Sequence, residues 1–216
     1  EACLEHIGFG TMNGPDGKPF KTREGGVLKL RELIDLVRDG ARERMREAGV
    51  AEGYGEEETA SIAHMVGVAA LKFADLSNVR NSNYVFDLER FSSFEGKTGP
   101  YLQYAVVRVK SILRRAGATP EPEKIQIATD AERALALAMI AFPNIVQGAY
   151  EKRALHLLCD FVYGLAQRLS TFYNAHHILS EEDAGVRASR LALADAAGRQ
   201  IELVLDLLGV ETPERM

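Results

Sequence analysis

Two lysines, Lys18 and Lys21, stand three residues apart in the run Gly17-Lys18-Pro19-Phe20-Lys21-Thr22, between turns rich in glycine. When the α phosphate of a nucleoside triphosphate is attacked, charge builds on the β and γ phosphates. Ammonium groups on a loop able to close over the nucleotide can stabilise that charge, a purely electrostatic form of catalysis. Thr22 adds a hydroxyl to the same loop. On spacing alone, a solvated basic turn is the plainer account of the pattern.

A second constellation follows from helix geometry. Tyr101, Tyr104, Arg108, Ser111 and Arg115 recur at steps of three and four, so they share one face of a helix, beside an apolar stripe of Leu102, Ala105, Val106, Val109 and Ile112. Aromatic planes and guanidinium groups are what unstacked loop bases and their phosphates require. A half-buried helix flank would give the same pattern. His176 and His177 are adjacent but lack a third ligand within reach in sequence, so they read as the loop after a helix rather than a metal pair.

The elements that must position these residues read as follows. Residues 2 to 12 form a strand that runs into the turn formers Asn13-Gly14-Pro15-Asp16-Gly17, and the lysine loop continues to an apolar run at Val27 to Leu30. A charged amphipathic helix spans about Arg31 to Glu47 and stops at Gly49. A second covers about Glu57 to Asp75, with Ile62, Met65, Val66, Ala69 and Phe73 at helical spacing. A mixed stretch around Tyr84-Val85-Phe86-Asp87 leads to Gly96-Lys97-Thr98-Gly99-Pro100, and Pro100 opens the helix that carries the tyrosine and arginine face. Thr129-Asp130-Ala131-Glu132 fits a capping box for a helix to about Ile140, broken at Phe142-Pro143. A short helix to about Glu151, a long one from Ala154 to Tyr173 and a last one from about Ala188 to Leu208 complete a bundle of unequal helices. On the long helix Leu155, Leu158, Val162, Leu165, Leu169 and Phe172 are expected to form one buried face.

Composition is that of an ordinary globular chain: 216 residues, 46% of them hydrophobic, enough to bury a sizeable core. The net charge of -5 argues against binding a polyanion through a global positive field. Residues 1 to 95 hold 12 Lys+Arg against 17 Asp+Glu, whereas residues 96 to 216 hold 14 against 14, so basic patches belong to the second half. No run of eighteen apolar residues and no signal-like segment is present, which points to the cytoplasm. Cys3 and Cys159 lack disulfide or zinc spacing and read as free thiols. The start on Glu1 inside a strand-like run suggests a piece of a longer protein.

Glu5-His6-Ile7-Gly8-Phe9-Gly10 followed by Gly17 to Arg23 resembles the strand and lysine loop of arginyl-tRNA synthetases, in the place of the KMSKS loop of class I enzymes. Tyr84-Val85-Phe86-Asp87, the stretch from Ser93 to Ala105, Ser189-Arg190-Leu191-Ala192-Leu193 and the segment from Leu207 to Met216 resemble the same family in the same order. The resemblance implies a mainly α chain: residues 1 to 48 close a Rossmann-type catalytic domain, 49 to 98 connect, and 99 to 216 form a helical anticodon-binding bundle. That domain is named for an Asp-Ala-Leu-Arg-like sequence, which appears here around Ala188 to Ala192. It further implies that Lys18, Lys21 and Thr22 meet the phosphates of ATP, which is used with Mg2+, and that arginine and tRNA-Arg are the other substrates. Tyr101, Tyr104, Arg108 and Arg115 would contact tRNA together with Tyr173 and Met216, which the resemblance alone brings to the anticodon. Pro19 and Phe20 replace the Met and Ser of KMSKS. His6-Ile7-Gly8-Phe9 imitates the HIGH sequence but lies too close to the lysine loop to serve as one, so these residues alone are expected not to activate arginine. A monomer is expected, with no DNA or membrane partner. A free-standing RNA-binding helical module without ligase activity is the alternative.

Overall fold

The computed structural model describes residues 4–14, 16–19, 29–47, 49, 53–117 and 119–216. Lys21, Thr22, Cys3 and the apolar run that begins at Val27 thus fall wholly or mainly outside the described residues.

The expected eleven-residue strand is far shorter than its sequence pattern. Among the described residues of this segment only Met12–Asn13 (β1) forms a strand, and it pairs in parallel with Tyr84–Val85 (β2), Met12 opposite Tyr84 and Asn13 opposite Val85. The preceding residues instead cross the 79–83 turn: Gly10 donates its N–H to the Arg80 carbonyl at 2.7 Å, and the Thr11 N–H reaches Asn83 Oδ1 at 2.8 Å. Side chains there stay exposed, Leu4 and Phe9 among them, so alternation in this segment reflects no buried face.

Helix α1 (Leu30–Glu47) turns Leu33, Val37, Ala41 and Met45 inward, and α2 (Glu56–Leu76) meets it with Ile62, Ala63 and Val66. Glu56, Glu57 and Glu58 sit in the first turn of α2, where carboxylates offset the positive end of the helix. Two glycines let backbones approach without side chains between them. A Cβ on Gly67 would lie 2.7 Å from Arg38 N, on α1. A Cβ on Gly99 would overlap the carbonyl of Ala69. Helix α2 is long and apolar enough to cross a membrane by length and composition. Its apolar flanks are instead covered by α1 on one side and by α4 (Gly99–Ala116) on the other, which explains an apolarity that the run-length criterion passed over.

A short helix α3 (Leu88–Phe91) is capped by Asp87 and precedes α4. Thr98 caps α4 by accepting the Tyr101 N–H at 3.2 Å while its hydroxyl donates to the Ser93 carbonyl at 2.6 Å. Pro100 occupies the first turn as expected. Helix α5 (Asp130–Ile140) carries the full capping box of Thr129 and Glu132. Phe142-Pro143 does not leave a gap: it starts α6 (Phe142–Lys152), where the missing proline N–H costs nothing. Helix α7 runs His156–Ala175 and α8 runs Ala184–Leu207. The bounds of both helices differ from the sequence reading, α7 also running two residues further at its end, to Ala175. Leu155 lies before α7 and is 43% exposed, so it is no part of the buried face. Helix α8 starts four residues earlier, because Asp183 accepts the Val186 N–H at 2.9 Å and supplies the cap.

Helices α4, α5, α7 and α8 enclose the main core, which includes Leu102, Val106, Leu135, Val162, Leu165, Phe172, Ile201 and Leu205. Each such side chain contributes about 1.5 to 3 kcal/mol by leaving water. Residues 209–216 run back along α4. Gln103, fully buried, donates Nε2 to the carbonyls of Glu211 at 2.6 Å and Met65 at 3.2 Å. Lys110 binds Glu214 at 2.6 Å, and Arg215 grips both oxygens of Glu58 at 2.7 and 2.8 Å. This segment ties the bundle to the α1–α2 pair.

Candidate nucleic-acid interface

Helix α4 presents the predicted face. Leu102, Val106, Val109 and Ile112 go into the core, which fixes the rotation of the helix and leaves Tyr101 half-buried, Tyr104 44% exposed, Arg108 half-buried and Arg115 exposed. The end of α7 comes alongside. There the Arg108 guanidinium lies over the Tyr173 ring, 4.0 Å from its centroid. Tyr101 meets Tyr163 edge-on at 5.7 Å, and burial pushes the Tyr101 phenol up, with Tyr163 adding to the effect and Arg108 opposing it. Tyr101, Tyr104, Arg108, Phe172, Tyr173 and Ile178 are among the residues that line a small apolar cavity of about 50 Å³. A stack of guanidinium on phenol is stabilising by about 0.5 to 2 kcal/mol and can be replaced by a flat base at similar cost, since both partners offer planar faces.

The cavity is backed by a buried polar cluster. Glu132, 2% exposed, accepts the N–H groups of Ala128 and Thr129 at 2.8 and 2.9 Å and the Nε of Arg190 at 3.0 Å. Arg190 also binds Glu181 at 2.6 Å. Burial alone would push the Glu132 carboxyl up. The Ala128 N–H, Arg190 and the Thr129 groups outweigh it and hold the carboxyl below its ordinary value. His176 caps α7, packs edge-on against Phe172 at 5.3 Å, and shares a hydrogen bond with Thr129 Oγ1 at 3.0 Å. Burial and the nearby Arg190 draw its pKa down against the pull of Glu132 and Glu181. His176 thus faces a hydroxyl and an aromatic ring, while His177 is exposed just after the helix.

Not every expected residue converges. Arg115 lies beyond the cavity, at the C-terminal turn of α4. Met216 packs against the α1–α2 cluster of Ala41, Met45, Ile62, Ala63 and Val66, beside Tyr54, Met65 and Phe94. Lys18 is exposed in a tight turn closed by Gly14 N–H to its carbonyl at 2.9 Å and by its own N–H to Asp16 Oδ1 at 3.1 Å. Among the described residues no three His, Cys, Asp or Glu side chains could hold a metal ion together. Tyr163, Ile178 and Arg187 went unnoticed in the sequence. Tyr163 was legible as the residue one turn from the α7 core positions, whereas Ile178 and Arg187 sit where the helix ends were misjudged.

Against this geometry, residues 102–216 match the family model of the DALR anticodon binding domain, and residues 1–88 match that of the class I (R) tRNA synthetase catalytic domain. The arginine–tRNA ligase of Hyphomonas neptunium is 54% identical over 217 residues, and that of Alkaliphilus oremlandii 43% over 219, covering 100% of this chain and 37% of each relative. The chain thus spans 37% of the length of the curated relatives it matches. Among solved structures, the arginyl-tRNA synthetase of Thermus thermophilus superposes with a TM-score of 0.84 at 31% identity, over 98% of this chain and 35% of that one. The chain belongs to the DALR anticodon-binding domain family, in the arrangement that arginyl-tRNA synthetases share.

Proposed function

We propose that this chain is the part of an arginine–tRNA ligase that grips the anticodon region of tRNA-Arg and carries the lysine loop. The observation that carries the reading is the stack of Arg108 on Tyr173 over an apolar cavity flanked by Tyr101 and Tyr104. An unstacked base entering there would meet one aromatic face and one cation, while Arg108, displaced from the ring, would turn to a phosphate. The same face continues to Arg115. Met216, at the other side of α4, would then contact RNA only if the strand wraps around the helix, or else would act by packing the α1–α2 pair.

In the whole enzyme Lys18, Lys21 and Thr22 would meet the phosphates of ATP, and α1, which follows that loop directly, would transmit its position to the bundle. A Mg2+ accompanying ATP would take most of its ligands from phosphates and water. The division into residues 1 to 48, 49 to 98 and 99 to 216 follows this assignment of roles, as does a monomer working in the cytoplasm. Separated from the rest of a catalytic domain, these residues would not activate arginine.

The test is fluorescence anisotropy of the chain with tRNA-Arg and with a version bearing an altered anticodon. Preference for the natural anticodon that survives added salt is the expected result. Tyr173→Ala should weaken binding by about 1 to 3 kcal/mol, the range for one stacked base, and should lower Tm only slightly. Equal binding of both RNAs, erased by salt, would overturn the proposal.

A further inference from the structure

Helix α4 carries its face past the base cavity into a second cleft. Arg115 follows Arg108 by seven residues on one helix, a rise of about 10 Å. There, between the last turn of α4 and the first turns of α8, a cavity of about 480 Å³ is lined by Arg115, Ala116, Leu179, Arg187 and Leu191. Two arginines and no acidic residue are among the described residues that line it.

Of the acids that the sequence places close by, Glu182 is exposed and is not among the residues lining the cleft, and the other two are engaged elsewhere. The Glu181 carboxylate binds Arg190 at 2.6 Å, and that of Asp183 accepts the Val186 N–H at 2.9 Å. Arg187 donates NH1 to the Glu181 carbonyl at 2.7 Å. A carbonyl partner fixes the plane of the guanidinium but leaves its charge uncancelled, and the remaining N–H groups keep the fork geometry suited to an oxyanion. Leu179 and Leu191 provide low-dielectric walls, which strengthen the field between the two cations. Holding two like charges at one cleft is unfavourable unless an anion joins them.

Resting on the RNA-binding reading of the neighbouring cavity, we infer that Arg115 and Arg187 jointly hold one backbone phosphate of the bound RNA strand, next to the nucleotide whose base enters at Arg108 and Tyr173. The first cavity is apolar and takes a base. The second is cationic and takes the charge that travels with it. Phosphate contacts of this kind set register without reading sequence.

The test uses the 216-residue chain and a labelled stem-loop with the arginine anticodon, titrated with salt. For Arg115→Gln and Arg187→Gln, binding weakens and the slope of log K against log[salt] falls by about 0.7, the value for one phosphate of a single strand. The double variant loses about 0.7 as well, because one phosphate is shared. A single neutral methylphosphonate in the loop reproduces the loss in the parent chain and adds nothing in the double variant. Arg187→Lys, which keeps the charge, retains the slope. An unchanged slope in Arg187→Gln overturns the inference, as do slope losses that sum to two phosphates. Tyr173→Ala separates the two levels: if it weakens binding while the arginine variants behave as the parent, only the phosphate site fails, and if the parent binds no RNA the base cavity fails with it.

Discussion

Gly67→Ala should destabilise the protein, although the same substitution in an open helix does the opposite. In α2 the added Cβ would lie 2.7 Å from Arg38 N and 2.8 Å from the Val37 carbonyl carbon. Ordinary van der Waals contact begins at 3.4 Å, so α1 must retreat by about 0.7 Å (3.4 − 2.7). The atoms met are backbone and cannot rotate away. A gap of 0.5 to 1 Å forfeits roughly a quarter to a half of each dispersion contact across the Leu33, Val37, Ala41 and Met45 face, and overpacked cores lose about 1 to 3 kcal/mol. Ala recovers about 1 kcal/mol of helix propensity, which leaves a net loss of up to about 2 kcal/mol and a fall in Tm of up to about 8 °C for a chain of this size. Gly148 in α6 is the control. A Cβ there meets nothing within 4 Å, so Gly148→Ala should raise Tm by about 1 to 4 °C. Calorimetry measures both, and hydrogen exchange should show the Gly67→Ala loss concentrated in α1. If both variants raise Tm, the backbone contact between α1 and α2 does not exist as described.

The carboxyl of Glu132 is held below its ordinary value, so its contribution is complete above the ordinary carboxylate range and is lost as pH falls through the folded pKa. Glu132→Gln should therefore flatten the fall of Tm with acidification, and near neutral pH should cost about 1 to 3 kcal/mol by leaving Arg190 to Glu181 alone; parallel acid limbs in the two proteins would refute this. Cys159 is fully buried, and burial pushes its thiol up to about 12, so a maleimide at pH 8 should leave the Cys159 peptide unmodified in mass spectrometry until the chain unfolds. Labelling at the rate of a free thiol would show that α7 opens.

Helix existence was legible because the apolar periodicity of α1, α2, α4 and α7 is strong and is flanked by local stop and start signals: Gly49, Pro100 and the Thr129–Glu132 box all act as read. Where the structure departs, a non-local partner decides. The alternation before Met12 promises a strand, but a strand needs a neighbour, and among the described residues only Met12 and Asn13 find one, in Tyr84 and Val85. Leu155 fits the α7 period and yet stays exposed, because the helix begins after it. The tyrosine and arginine face of α4 could be drawn from spacing alone. That Arg108 stacks on Tyr173, that Arg187 joins Arg115, and that Met216 goes to the α1–α2 pair depend on how α4, α7, α8 and the final segment pack, which no local pattern encodes.

Gln103 is a buried amide whose two N–H bonds both end on backbone carbonyls, one from α2 and one from the segment after α8. An apolar residue would bury more comfortably there, but it would accept the returning segment at any offset. The amide allows a single alignment: a slip of one residue along α4 strands a desolvated donor, at about 1 to 3 kcal/mol. Gln103 is thus a register pin, contributing selectivity among near-equal packings rather than strength, and a Gln103→Leu chain should keep its Tm while its final segment gives more than one set of NMR signals.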